Sequence, residues 1–177
     1  MRRQARIAGV FYLSTIVTGT LGALLPDTPF RSAANLAASL CYVVVTVFLY
    51  RLFRVVNGTV SLLAAIFSLA GCILGILDTL HQNPAHFNNL VLFGAYCVLL
   101  SYLILRSSFM PRWVGIMVAI AGLGWLTFLF PPLAHRIMPA QMLTGLLGEG
   151  VLTVFLLIAR FKPVDPQAQP AHAISPS

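Results

Sequence analysis

Six apolar runs, at residues 7–25, 33–50, 60–80, 87–105, 113–130 and 140–159, decide what this 177-residue chain can fold into. Each run is about 18 to 21 residues long, and a helix rising about 1.5 Å per residue crosses a hydrocarbon core of about 30 Å with such a length. Together they occupy about two thirds of the chain, so no separate water-soluble domain is left over. The composition agrees: 59% of residues are hydrophobic and 8% charged, where a soluble domain carries about 25% charged residues to face water. In lipid every backbone amide must find its partner within the protein, which restricts spanning elements to helices and closed barrels. These unbroken runs lack the alternation of barrel strands. The expected fold is all-α: an integral membrane bundle of six transmembrane helices.

Charge in the connections sets the expected threading. Arg2, Arg3, Arg6, Arg51, Arg54, Arg106, Arg112, Arg160 and Lys162 fall on one side, and only Arg31 and Arg136 on the other. Lys and Arg are retained on the cytoplasmic side, which places both termini there and points to the cell inner (plasma) membrane. The net charge of +7 is spread over four juxtamembrane sites with no basic run or stacking platform, which argues against nucleic acid. Membrane lipids with anionic headgroups are the expected partners. The first run exceeds the 7 to 15 residues of a signal peptide's apolar region and no small-x-small cleavage site precedes Pro26, so it reads as a retained span. Cys41, Cys72 and Cys97 all lie inside runs and read as unbridged packing residues.

The punctuation between runs is short. Ser32 is placed to cap the second helix, Asn57 and Thr59 the third, and Ser107 or Ser108 the approach to Pro111, with Trp113 at the headgroup boundary. Pro131 and Pro132 are expected to end the fifth helix and Pro139 to open the sixth. Asn57-Gly58-Thr59 matches a glycosylation acceptor, but on the cytoplasmic side it reads as a turn and cap. Residues 163–177, rich in Pro, Ala, Gln and Ser, read as a disordered cytoplasmic tail. Gly71 with Gly75 and Gly145 with Gly148 form small-residue ridges suited to close helix contact. Packing within the chain is the default for these ridges, and a homo-oligomer through them is the alternative.

Read in order, the segments Arg6-Ile7-Ala8-Gly9-Val10-Phe11-Tyr12-Leu13, Ala34-Asn35, Leu49-Tyr50-Arg51-Leu52-Phe53 with Val56-Asn57, and Tyr102-Leu103-Ile104-Leu105-Arg106-Ser107 form a pattern. Pro111-Arg112-Trp113-Val114-Gly115, Ala121-Gly122-Leu123-Gly124-Trp125 and Gly148-Glu149 continue it. Their order and spacing resemble the domain of unknown function 4386 family, small polytopic membrane proteins of bacteria, over nearly everything before the tail. The resemblance implies a bacterial inner-membrane protein of uncharacterised role. It also marks two departures. The family pattern has an acidic residue in the second span and an Arg in the third, where this chain has the Ser39 to Tyr42 region and Ser68.

No Walker sequence, HExxH, CxxC or Gly-x-Ser-x-Gly elbow is present, so no catalytic residue, metal or cofactor is assigned. Two sets of polar residues remain. The first is an outer rim of Asp27, Asp78, His81, His86 and His135. Asp78 and His81, three apart, could share a helix face and hold a metal or proton, against the plainer reading of solvated loop residues. The second is Glu149, about ten residues past Pro139 and so about 15 Å below the outer surface. A charge there costs several kcal/mol, and such residues face the bundle interior. Ser14, Thr15, Tyr42 and Tyr96 fall at the same depth, which predicts a hydrogen-bonded cluster around a neutral Glu149 carboxyl, since low dielectric disfavours the charged form.

Three function classes follow. One is binding or transport of a small molecule or proton through a mid-membrane site at Glu149. Another is an intramembrane enzyme or a metal- or haem-binding protein using the outer histidines, which ranks lower because only Glu149 lies at depth. The third is a structural or stress-related role without a ligand. A polar cavity reaching Glu149 would favour the first.

Overall fold

The computed structural model describes residues 2–81 and 88–158. Six helices follow one another: α1 (Arg2–Leu24), α2 (Pro29–Phe53), α3 (Gly58–Thr79), α4 (Leu90–Arg106), α5 (Arg112–Leu126) and α6 (Pro131–Ile158), with a short 3-10 turn at Thr127–Leu129 before α6. No strand occurs among the described residues. The expected tail 163–177, Arg160, Lys162 and His86 lie outside the described residues.

Five of these helices are long and apolar enough to cross a membrane, and α4 is a shorter apolar helix of 17 residues. The exterior is what distinguishes this bundle from a soluble one. Val10, Leu13, Val17 and Leu21 of α1 form an exposed stripe, and Ile73 of α3 and Leu123 of α5 are 59% and 61% exposed. The inward face of α1 carries Ala5, Ala8, Gly9 and Tyr12 instead. Large apolar residues can face outward along these helices because lipid, as apolar as they are, offers no hydrophobic drive to bury them.

Each helix packs against its chain neighbours, and α6 packs back against α1. The six therefore close into a ring, up and down in sequence order. The exposed Arg2, Arg3, Arg6, Arg51, Arg54, Arg106 and Arg112 lie at one end, and the exposed Arg31 and Arg136 at the other. At the Arg-rich end the interior is solid: Leu49, Leu52, Phe53, Leu100, Leu103, Ile104 and Val114 are 2% exposed or less.

Small residues and hydroxyls make the close contacts. An added Cβ at Gly148 of α6 would stand 2.7 Å from the Met117 carbonyl oxygen of α5, and one at Gly122 of α5 would stand 3.0 Å from the Gly94 carbonyl oxygen of α4. Gly71 and Gly145 each accept an aromatic ring, of Phe93 and Trp125 respectively. Between α2 and α3, the Thr46 and Ser68 hydroxyls lie 2.6 Å apart, and the Ser61 hydroxyl donates to the Tyr50 carbonyl at 3.2 Å. Cys41, Cys72 and Cys97 are unbridged.

Several expected boundaries move. α2 begins at Pro29 with Thr28 at its N-cap, so Ser32 lies inside the helix and caps nothing. Asn57 does cap α3, its side chain accepting from the Val60 amide at 3.0 Å, but Thr59 lies inside that helix, and Ser107 ends α4 while Pro111 holds the N-cap of α5, so no serine caps the approach to Pro111. The largest shift is at the expected break between spans five and six. Pro131 opens α6, a position where the missing N–H has no partner to lose, and Pro139 falls inside the helix, withholding one hydrogen bond without ending it. α6 is held over this stretch by Gln141, whose amide donates to the Thr127 hydroxyl and the Gly124 carbonyl.

The Tyr96 hydroxyl is buried without a partner among the described residues, whereas Thr46 and Ser68 satisfy each other. Thr46→Val is expected to destabilise by about 1–3 kcal/mol, because it strands the buried Ser68 hydroxyl, while Tyr96→Phe should be neutral or stabilising. Unfolding both variants in mixed micelles checks this, and equal losses would show that the Tyr96 hydroxyl is paired in the membrane, for instance with a water.

Candidate ligand cavity at Glu149

In its other half the ring encloses a cavity of about 550 Å³, and all six helices contribute to its wall. α1 supplies Thr15, Gly19 and Thr20, α2 supplies Asn35, Ser39 and Tyr42, and α3 supplies Asp78 and Thr79. Phe93 of α4, Trp125 of α5 and Glu149 of α6 complete it. These positions run from the ends of α1 and α3 at the Arg-poor side inward to Tyr42 and Glu149. The cavity is therefore a vestibule in the Arg-poor half of the ring. Gly9 explains the closure: its missing side chain lets α1 meet α6 at Leu157, 2.9 Å from where a Cβ would sit, and seals the opposite half.

Glu149 stands at the deep end. With α6 continuous from Pro131, it lies about 20 Å along the axis from Arg136 and about 14 Å from Ile158, still near mid-depth. Its depth thus survives the shift in the helix start. Below it the aromatic rings of Tyr12, Tyr42 and Tyr96 pack edge to face, with Tyr42 5.4 Å from Tyr12 and 5.9 Å from Tyr96 between centroids. This layer is the vestibule floor. The Tyr12 and Tyr42 hydroxyls share a hydrogen bond at 3.2 Å. Beneath Tyr96 a void of about 10 Å³, also lined by Thr46 and Ser61, is about the size of one water.

The expected cluster is only partly assembled. Thr15, Tyr42 and Glu149 line the one cavity, and Asp78 lies nearer its mouth. Tyr96 stands behind Tyr42 in the floor. Ser14 is turned away, donating to the Val10 carbonyl of its own helix at 3.1 Å. Thr15 likewise donates to the Phe11 carbonyl at 3.0 Å. The direct hydrogen bond expected from Glu149 to Ser14, Thr15, Tyr42 or Tyr96 is not formed among the described residues. Helix hydroxyls satisfy themselves on the preceding turn, and the Tyr42 hydroxyl pairs with that of Tyr12, so the carboxyl is left facing the cavity. Its polar neighbour is Trp125, whose indole Nε1 is buried beside it without meeting the geometry of a formed hydrogen bond.

Among the described residues of the outer rim, no cluster forms. α3 ends at Thr79, and His81 lies beyond it in the left-handed region at φ 55°, so Asp78 and His81 share no helix face. Asp27 is exposed in the turn after α1. His86 and the side chain of His135 lie outside the described residues. Among the described residues no three His, Cys, Asp or Glu side chains converge as a metal site would require.

Trp125, Phe93, Asn35 and Asn89 line the cavity and were not singled out by sequence. For Trp125 a signal existed: a buried indole needs an acceptor for its N–H, and Gly145, whose absent side chain admits the ring, stands one turn from Glu149. For Asn35, Gly22 on α1 leaves the room its side chain occupies.

No solved structure matches this chain. An uncharacterized protein of Archaeoglobus fulgidus is 32% identical over 90 residues, an overlap covering 48% of this chain and 56% of that relative. The chain thus spans little more than half the length of the relative it matches. Among the motifs carrying the family resemblance, those from Tyr102 to Glu149 fall inside the segment matched by the family model and those before residue 76 fall outside it. Over residues 76–159, which hold Asp78, Phe93, Trp125 and Glu149, the chain matches the family described as Domain of unknown function (DUF4386), and the resemblance read from the motifs stands there.

Proposed function

We propose that this multi-pass membrane protein binds a small molecule in the vestibule, with Glu149 as the recognising group and both termini in the cytoplasm. The observation that carries the reading is the cavity itself: about 550 Å³, lined by all six helices and ending on an ionisable side chain at mid-depth. Sites for drug-sized ligands occupy about 300–1,000 Å³ and combine apolar walls with a few convergent polar groups. An ionisable residue inside a membrane is costly and marks function more often than packing. The solid interior below the tyrosine floor supports binding from one side over an open channel. Transport would need the contacts at Gly9 and the tyrosine layer to open.

Orientation is tested separately. Reporter fusions after Arg54 and after Arg106 should both read as cytoplasmic, given the bias of basic residues. An external signal at either would reverse the threading.

Cavity access is tested with single cysteines in a background where Cys41, Cys72 and Cys97 are alanine. In oriented vesicles an impermeant thiosulfonate should label Ala38→Cys, on the cavity wall, from the Arg-poor side only, and should not label Ala8→Cys, buried at the other end. An unreactive thiol at position 38 would remove the ligand reading.

A further inference from the structure

We infer that the vestibule takes a small organic cation with an apolar body, such as a tertiary or quaternary amine. The inference rests on the reading of this cavity as a ligand site, and it follows from charge and aromatic placement. The two carboxyl side chains on the wall are Glu149 at the deep end and Asp78 toward the mouth, and no Lys or Arg is among the residues of the wall. The two cations at this end of the ring, Arg31 and Arg136, are exposed. Glu149 interacts with Trp125 and with no cation among the described residues. An anion entering this space would meet two carboxyls and no Lys or Arg on the wall. A bare metal ion would lack ligands, since no three His, Cys, Asp or Glu side chains converge among the described residues.

The walls complete the chemistry. Trp125 and Phe93 face the space from α5 and α4, and Tyr42 meets Phe93 edge to face at 4.8 Å between centroids. Aromatic faces attract a cation within about 6 Å of the ring, most strongly where water is excluded. They also cover an apolar body at no polar cost. A cationic head therefore sits against Glu149 between aromatic rings, as a counter-charge that no described residue supplies. Trp125, with its N–H beside the carboxyl, positions that group. The remaining volume, bordered by Gly19, Ala38 and Leu146, accommodates the body.

The probes are benzyltrimethylammonium, a permanent cation, N-benzylacetamide, neutral and of similar size, and 3-phenylpropionate, an anion. Binding to the purified full chain is read by calorimetry and by protection of Ala38→Cys from the thiosulfonate. The cation should bind at least about tenfold more tightly than either comparator, the scale of one unscreened charge contact, and should protect the thiol. Glu149→Gln should abolish that preference while position 38 stays reactive, which shows the vestibule still formed. Phe93→Ala should weaken the cation by about threefold or more through the lost ring face. Equal or tighter binding of the neutral or anionic probe, or a preference unchanged in Glu149→Gln, would overturn the cation assignment. A thiol that reacts but is not protected by the cation also overturns it and leaves the cavity reading standing. A thiol that never reacts overturns both.

Discussion

Gly148→Ala should destabilise the bundle by about 1–3 kcal/mol although it adds a single methyl group. The added Cβ would stand 2.7 Å from both the Ala121 Cβ and the Met117 carbonyl oxygen of α5. One of these is backbone, which cannot rotate aside, so α5 and α6 must separate. In lipid that separation is doubly unfavourable, since close van der Waals packing is the main attraction between helices. Gly150, two residues further along the same helix, is the control. Nothing lies within 4 Å of its Cβ position, so Gly150→Ala should be neutral or stabilise by up to about 1 kcal/mol from helix propensity alone. Unfolding of the two variants by SDS in mixed micelles separates the cases. Equal stabilities would mean that α5 and α6 are not in backbone contact in the membrane.

Gly19→Phe should do the opposite: keep the fold and eliminate ligand binding. Gly19 lies on the vestibule wall, and a Cβ there meets only the Ala38 Cβ, at 4.0 Å. Replacing glycine in a helix relieves about 0.5–1 kcal/mol of backbone entropy cost, so the variant should unfold no earlier than the parent. The phenyl ring, however, would project into the space the ligand needs. Binding of benzyltrimethylammonium should fall by more than about a hundredfold, or about 2.7 kcal/mol, and labelling at position 38 should slow with it. A variant that folds and binds as the parent does would place the ligand outside this cavity.

These two glycines show what could be read in advance. Gly148 belongs to a small-residue ridge visible in the sequence, and it packs as such ridges do. Gly19 belongs to no ridge, and Gly94 with Gly122, which bring α4 and α5 together, went unmarked because they sit on different helices. A motif within one helix is legible from spacing. A pair across two helices requires knowing which faces meet.

The same division runs through the site. Glu149 was legible because an acid inside an apolar run is conspicuous whatever surrounds it. Its depth held even though α6 begins at Pro131 and not near Pro139, because depth depends on distance from the membrane boundary and not on where the helix starts. Its partners were not legible. Ser14 and Thr15 share its depth, yet both donate to carbonyls of their own helix, and depth alone says nothing of the direction in which a side chain points. Trp125 was missed for the converse reason: aromatic residues are common along these helices, and only the gap left by Gly145 puts this one beside the carboxyl.

The sequence by itself determined the number of helices, their limits to within a few residues at most ends, and the bias of basic residues to one end of the ring. Each of these depends on what one residue or one run gains by entering lipid or staying in water, a quantity that sums along the chain without reference to any neighbour. The ring closure, the solid Arg-rich half, the vestibule in the other half and the company Glu149 keeps were decided by tertiary structure. Helices apolar on all sides carry no stripe that says which face turns inward, so the choice passes to shape, to where glycine lets backbones touch and where a large ring must be housed.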